Sequence, residues 1–291
     1  MRLFHIISFI FLIALAACGK AKPSGLTKPL VLVSIAPYQH FAEKIGGEEI
    51  AVQSIVPQTA NAHVFEPTPR QREALKEARI WFRIGEPFEL SLIPLFPKEG
   101  QIVDLRDGIE LLEFDDGHTC HDCSHDNKDR HIWMSPKLAK LQALMIAETL
   151  KEAFPEKETL FEKNLEQLLS QLDALDTEIQ LALRSLQNRS LLVSHPAFGY
   201  YCHEYGLRQL SVEQEGKDPR PKHLERLLDI VKNNPPTLSL AMPQHNNKGV
   251  QLIAKELKTR LRVIDPYSND YFSMMRALTE MIAPNPEMPS P

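Results

Sequence analysis

Residues 156–187 read EKETLFEKNLEQLLSQLDALDTEIQLALRSLQ, a stretch without a single glycine or proline. Within it Phe161, Leu165, Leu168, Leu172, Leu175, Ile179, Leu183 and Leu186 recur every three or four residues, which lines them up on one stripe of an α-helix. At the helical rise such a segment is about 45 Å long, more than one small domain needs to cover its core. The spacing therefore predicts a connecting strut over 155–188. A coiled-coil seam between two chains would need a more sustained charge pattern beside the stripe than this stretch carries.

On both sides of the strut, short apolar runs alternate with helical patterns. Upstream, LVLVSI from Leu30, IAVQSIV at 50–56, IWFRI at 80–84 and QIVDL at 101–105 read as strands. Helices are expected at about 38–45, 68–78, 87–96 and 136–154. Thr68-Pro69 with Gln71 forms a T-x-x-Q capping box, and Ser135-Pro136 is a second cap-plus-proline start. Downstream, SLLVS at 190–194, LRQLSV at 207–212, TLSLAM at 237–242 and LRVID at 261–265 repeat the pattern. Strands alternating with helices imply parallel sheets with right-handed crossovers. The expected fold is α/β, with two lobes of roughly four strands each, at 29–154 and 189–291, joined by one long helix.

Of the 291 residues, 33 are Lys or Arg and 38 are Asp or Glu, so the net charge of -5 offers no footprint for nucleic acid or another polyanion. Arg2 precedes Leu3–Ala17, an apolar run too short to span a membrane and placed where an export signal belongs (1–17). It ends Leu15-Ala16-Ala17-Cys18, which resembles a bacterial lipobox whose cysteine, Cys18, becomes the lipidated first residue. Residues 18–28 then serve as a polar tether. An exported, lipid-anchored protein at the cell surface or in the periplasm is expected.

Open α/β sheets bind ligands just beyond the carboxyl ends of their strands. Four residues with metal-ligating side chains fall there: His63 in NAHVFEPTP, His131 in DRHIWMSP, His195 in LLVSHPAFGYY and Asp265 in RVIDP. Each lobe supplies two, so a cleft between the lobes would gather them. Three neutral imidazoles and one carboxylate complete a tetrahedral Zn(II) shell; Mn(II), the alternative ion, prefers more oxygen donors. A zinc hydrolase is the rival from another class, but the chain has no H-E-x-x-H and no evident general base beside these residues. No catalytic residue is assigned.

A second metal signal lies in FDDGHTCHDCSHDNKD at 114–129, where His118, His121 and His125 alternate with Cys120 and Cys123. This polar segment (115–129) cannot pack a core and reads as a surface loop. Three readings of it stand side by side: an accessory site that collects zinc, a Cys120–Cys123 disulfide, or a solvated linker. His40, His203, His223 and His245 are left as surface or supporting residues. Cys202 reads as a small buried hydrophobe.

The stretches NAHVFEPTP, HIWMSP, SHPAFGYYCHEYGL, VEQEGKDPRPKHL, MPQHNNKG and VIDPYSNDY, in this order, resemble the metal-specific solute-binding proteins of bacterial ABC importers, the cluster A-I family that includes ZnuA and TroA. The resemblance spans the exported chain. It implies two α/β lobes bridged by a rigid helix, ligand roles for His63, His131, His195 and Asp265, and a membrane ABC permease as partner of a monomeric receptor. In the family a histidine at the third ligand position goes with zinc and a glutamate with manganese, so His195 resembles the zinc type. Surface adhesion is a further activity that lipid anchoring would permit. The chain departs from the pattern at Ala62, where zinc members often have His or an acid, and at Met242, where many have Glu.

Overall fold

The computed structural model describes residues 28–114, 128–213 and 221–283. The export-signal reading, Cys18 and the five His and Cys residues of the 115–127 stretch lie outside them. Strands β1 (Leu30–Val33), β2 (Ala51–Ser54), β3 (Ala78–Arg83) and β4 (Gln101–Asp104) form one sheet in the order β2-β1-β3-β4, every pair parallel. Strands β5 (Ser190–Val193), β6 (Arg208–Ser211), β7 (Leu238–Ala241) and β8 (Leu261–Val263) form a second parallel sheet, ordered β6-β5-β7-β8. The two-lobe α/β expectation is met, with the same winding in each lobe. Central strands are mostly apolar because both faces are covered: Val31, Leu32 and Val33 in β1 and all of β7, its Ser239 included, are buried.

Helices α1 (Ala36–Gly46), α2 (Pro69–Leu75), α3 (Glu89–Leu92) and α4 (Pro136–Ala153) belong to the first sheet. The expected caps are formed: the Thr68 hydroxyl and the Gln71 side chain make a reciprocal box at α2, and the Ser135 hydroxyl accepts from the Leu138 amide at α4. Helices α6 (Gly199–Tyr205), α7 (Pro221–Asn233), α8 (Lys248–Leu257) and α9 (Tyr271–Ile282) belong to the second.

Between them runs α5 (Glu158–Leu183), 26 residues and about 39 Å long. It is shorter than the sequence pattern because Pro155 opens a separate 3-10 turn (Pro155–Lys157), and because the Arg189 guanidinium takes up the Leu183 carbonyl at the other end. Seven of the eight stripe residues are buried within the helix, and Leu186 is buried just beyond it. The amino-terminal half of α5 is tied to the first lobe, where Asn164 donates to the Ile45 carbonyl at 2.9 Å. Its carboxyl-terminal half is tied to the second, through Tyr205 Oη to Asp176 (2.9 Å) and Arg276 Nε to Glu178 (2.7 Å).

One apolar core runs from the first sheet, through the α5 stripe, into the second, and includes Val31, Tyr38, Trp133, Leu168, Leu191, Tyr271 and Met275. Polar bonds stitch the same seam. Trp133 Nε1 donates to the Pro266 carbonyl and Tyr271 Oη to the Trp133 carbonyl, both at 2.8 Å, and Tyr200 Oη donates to the Asp129 carbonyl at 2.9 Å. A separate small core of Leu192, Leu210, Val212, Leu227, Val231, Ala241, Val250 and Ile253 lies between the second sheet and α7 and α8. Among the described residues no helix is long and apolar enough to cross a membrane.

Candidate metal centre

The loops that leave the carboxyl ends of both sheets meet across the cleft, and three of them bring imidazoles together. His63 sits in the 3-10 turn Ala62–Val64 after β2, with its backbone amide donating to Asn61 Oδ1 at 2.9 Å. His131 caps the turn Ile132–Met134 that leads into α4. His195 follows β5 by two residues. One ring nitrogen from each lies within 4.8 Å of the other two. His63 Nε2 and His195 Nε2, from opposite lobes, are 3.0 Å apart. A zinc ion with Zn–N bonds near 2.05 Å separates tetrahedral nitrogens by about 3.3 Å, so it would enter with small displacements of the rings.

Each imidazole is backed by a buried carboxylate. His63 Nδ1 meets Glu86 Oε2 at 3.0 Å, His131 Nδ1 meets Asp129 Oδ1 at 2.7 Å, and His195 Nδ1 meets Glu213 Oε2 at 2.7 Å. Glu86, Asp129 and Glu213 are only 1%, 2% and 7% exposed. A carboxylate that accepts from Nδ1–H fixes ring orientation and tautomer and leaves the Nε2 lone pair for an ion. Asp129 Oδ1 also accepts from the His131 backbone amide at 2.9 Å, which holds the pair rigidly.

The three rings differ in how they hold protons. Burial holds His131 and His195 well below the ordinary histidine range, so they stay neutral. Burial also works to lower His63, but the charge of Glu86 and the hydrogen bond to it prevail and raise it. Two Nε2 lone pairs cannot face each other at 3.0 Å, so one nitrogen carries a proton; the raised His63 is that donor and the lowered His195 the acceptor. Burial opposes ionisation of Glu213, yet its bonds to His195 and His245 bring its carboxyl down to about 2. Burial pushes the Asp129 carboxyl up to about 7.

Asp265, the fourth residue picked out by sequence, is not part of this cluster. Its Oδ1 accepts from the Tyr267 amide at 2.9 Å, the local turn that an Asp-Pro pair favours. Gln244 Nε2 donates to the same oxygen at 2.8 Å, and Gln58 Nε2, from the first lobe, donates to Oδ2 at 2.7 Å. Tyr267 Oη instead approaches His131 Nε2 at 3.3 Å.

Sequence reasoning missed Glu86, Asp129, Glu213 and Tyr267, and it left His245 without a ligand role. His245, in the β7–α8 loop, stacks on His195 with ring centroids 3.9 Å apart and planes at 19°, and its Nδ1 lies 3.3 Å from Glu213 Oε2. Glu86, Glu213 and His245 all lie just past strand ends. The rule that picked out the three histidines would have found them had it been extended to carboxylates and to every histidine. The other spare histidines stay away from the centre: His203 is exposed and His223 Nε2 bonds the Ser211 carbonyl at 3.0 Å. Cys202 is a free, buried thiol, as expected.

Residues 31–284 match the family model described as zinc-uptake complex component A, periplasmic (ZnuA). A Chlamydia trachomatis protein whose name describes it only as metal-binding is 30% identical over 276 residues, covering 94% of this chain and 98% of its own. The high-affinity zinc uptake system protein ZnuA of Bacillus subtilis is 24% identical over 277 residues, covering 89% and 86%. Among solved structures, a crystal structure of ZnuA superposes with a TM-score of 0.80 at 33% identity, over 87% of this chain and 97% of that one. With its paired parallel sheets, bridging helix and carboxylate-backed histidines, the chain belongs to the ZnuA family, the cluster A-I metal-binding receptors of bacterial ABC importers.

Proposed function

We propose that this protein captures Zn(II) in the interlobe cleft and delivers it to the permease of an ABC importer. The observation that carries the reading is the convergence of His63, His131 and His195, each with a buried carboxylate on its Nδ1. Three imidazoles form a borderline donor set that suits zinc better than manganese, which would prefer oxygen in place of one or more rings. The buried carboxylates, Glu86 and Glu213 above all, add negative potential beside the rings, which favours a dication over the empty cleft. Asp265 is the fourth donor in this reading, turning inward as the ion takes the place of the Gln58 and Gln244 amides.

The rest of the reading follows from the sequence. Export and lipidation at Cys18 would keep the receptor beside its permease as a monomer. The 115–129 loop, through His118, Cys120, His121, Cys123 and His125, would collect zinc for the cleft. The ZnuA name of the relatives supports zinc as cargo.

The test is competitive titration of the metal-free protein with Zn(II) and Mn(II), beside a His63→Ala, His195→Ala double variant. One-to-one zinc binding that survives excess manganese and is lost in the double variant is expected. Preferential manganese binding would move the assignment to a manganese receptor, and undiminished zinc binding by the double variant would remove the cleft from it.

A further inference from the structure

The three-histidine set leaves part of the centre unexplained. The His245 side chain is 2% exposed, and its Nε2 is buried without any hydrogen-bond partner among the described residues. A buried polar nitrogen left unsatisfied is costly, and the nitrogen of this ring that faces a carboxylate is the other one, Nδ1. His245 does not stand alone. Its Nδ1 and that of His195 face the same oxygen, Glu213 Oε2, at 3.3 and 2.7 Å. Donor atoms of His195, Glu213 and His245 all lie within 4.8 Å of one another. Two imidazoles and one glutamate make a recognised zinc donor set, one that leaves a coordination position open.

We propose that His195, Glu213 and His245 form a second coordination position for a borderline divalent cation such as zinc, overlapping the three-histidine position through His195. The proposal rests on the zinc-receptor reading and adds a second holding position to it. The two donor sets differ in charge: the first is three neutral rings, the second includes a carboxylate. His195 belongs to both sets, facing His63 with Nε2 and Glu213 with Nδ1, so one ring offers a different nitrogen to each position. The loop that carries His245 is exposed at Pro243, two residues before it, and at Asn246, one residue after it. The three donors of the second position are themselves buried, the His195 and His245 side chains at 2% exposure and Glu213 at 7%, while His131 and His63 belong only to the first. Glu213 then has two uses, orienting His195 when the ion is in the first position and ligating it when it is in the second.

The experiment compares zinc binding by the wild-type protein, His131→Ala and His131→Ala, His245→Ala, with thermal melts of each metal-free protein to verify folding. His63→Ala replaces His131→Ala if the latter fails to fold, since His63 also belongs only to the first set. The expected result is a weaker one-to-one site in the single variant, whose affinity falls by at least about tenfold when His245 is removed. With cadmium as an NMR-active substitute for zinc, a scalar coupling between the metal and a His245 ring nitrogen should appear in the single variant, which stacking on a ligated His195 would not produce. Residual binding that is absent, or indifferent to His245, while the wild-type protein binds zinc would overturn the second position and leave the first intact. Failure of the wild-type protein to bind zinc would overturn both.

Discussion

Removing the Asp129 carboxylate tests whether the buried acids prepare the histidines for metal. Asp129 does not ligate in the reading above; it accepts at Oδ1 from the His131 amide (2.9 Å) and holds His131 Nδ1 at 2.7 Å, with both side chains almost wholly buried. Asp129→Ala leaves that nitrogen without a partner and the ring free to rotate or change tautomer. A hydrogen bond to a charged group contributes about 1.5–3 kcal/mol. Loss of such a partner in other metal sites weakens binding about 10- to 100-fold, which is about 1.4–2.7 kcal/mol and thus the same range. Asp129→Asn keeps an acceptor of the same shape without the charge, and a neutral bond of about half the strength predicts only a roughly 3- to 10-fold loss. The assay is zinc competition against a chelator, at a pH one unit above the value of about 7 to which burial pushes the Asp129 carboxyl. Asp129→Ala binding zinc within twofold of wild type, or Asp129→Asn losing as much as Asp129→Ala, would refute the orienting role.

Gly199→Ala should give a milder loss without touching any histidine, because a Cβ there would come within 2.4 Å of Asp129 Oδ2 and push the carboxylate off His131; zinc titration measures it, and unchanged affinity with an intact fold would count against the contact. Zinc affinity should weaken as pH falls. The His63 value is raised, so at and below it the ion must displace a proton, and the apparent Kd should rise tenfold per pH unit, about 1.4 kcal/mol. Below about 7 the Asp129 proton adds to this and the dependence steepens, while His131 and His195, both lowered, contribute nothing until far lower pH; titrations across this range that show no pH dependence would contradict the assignment. Deleting 115–128 should leave the affinity of the cleft intact while slowing zinc capture at low metal concentration, read by stopped-flow exchange. Solution scattering of metal-free and zinc-loaded protein should differ little, since the Trp133, Tyr200 and Tyr271 bonds cross the seam between the lobes; a wide opening would refute a rigid connection.

The architecture was legible because its determinants are local. The leucine stripe of α5, the Thr68 and Ser135 caps and the apolar runs of all eight strands are patterns of neighbouring residues, and backbone geometry turns them into elements directly. The three histidines were legible for a topological reason: strand ends of parallel sheets share one edge, so residues at those ends meet whatever their distance along the chain. The partners of the histidines were not. Glu86, Asp129 and Glu213 look like ordinary loop acids in a chain with 38 acidic residues, and only the fold distinguishes buried carboxylates from solvated ones. The orientation of Asp265 likewise depends on Gln58 and Gln244, which come from opposite lobes.

The continuous core has a consequence for how the protein comes apart. Because the two sheets share one apolar interior through α5, neither lobe has a complete core of its own, and the metal-free protein should melt them as a single cooperative unit. The outer layer of the second lobe is the exception, since α7 and α8 rest on their own small cluster. That layer should be the first of the described residues to open locally. Its amides should exchange first, and it carries on its inner side the β6 and β7 strands whose ends present Glu213 and His245. Local opening there would loosen the binding centre from one side while the remainder stays folded.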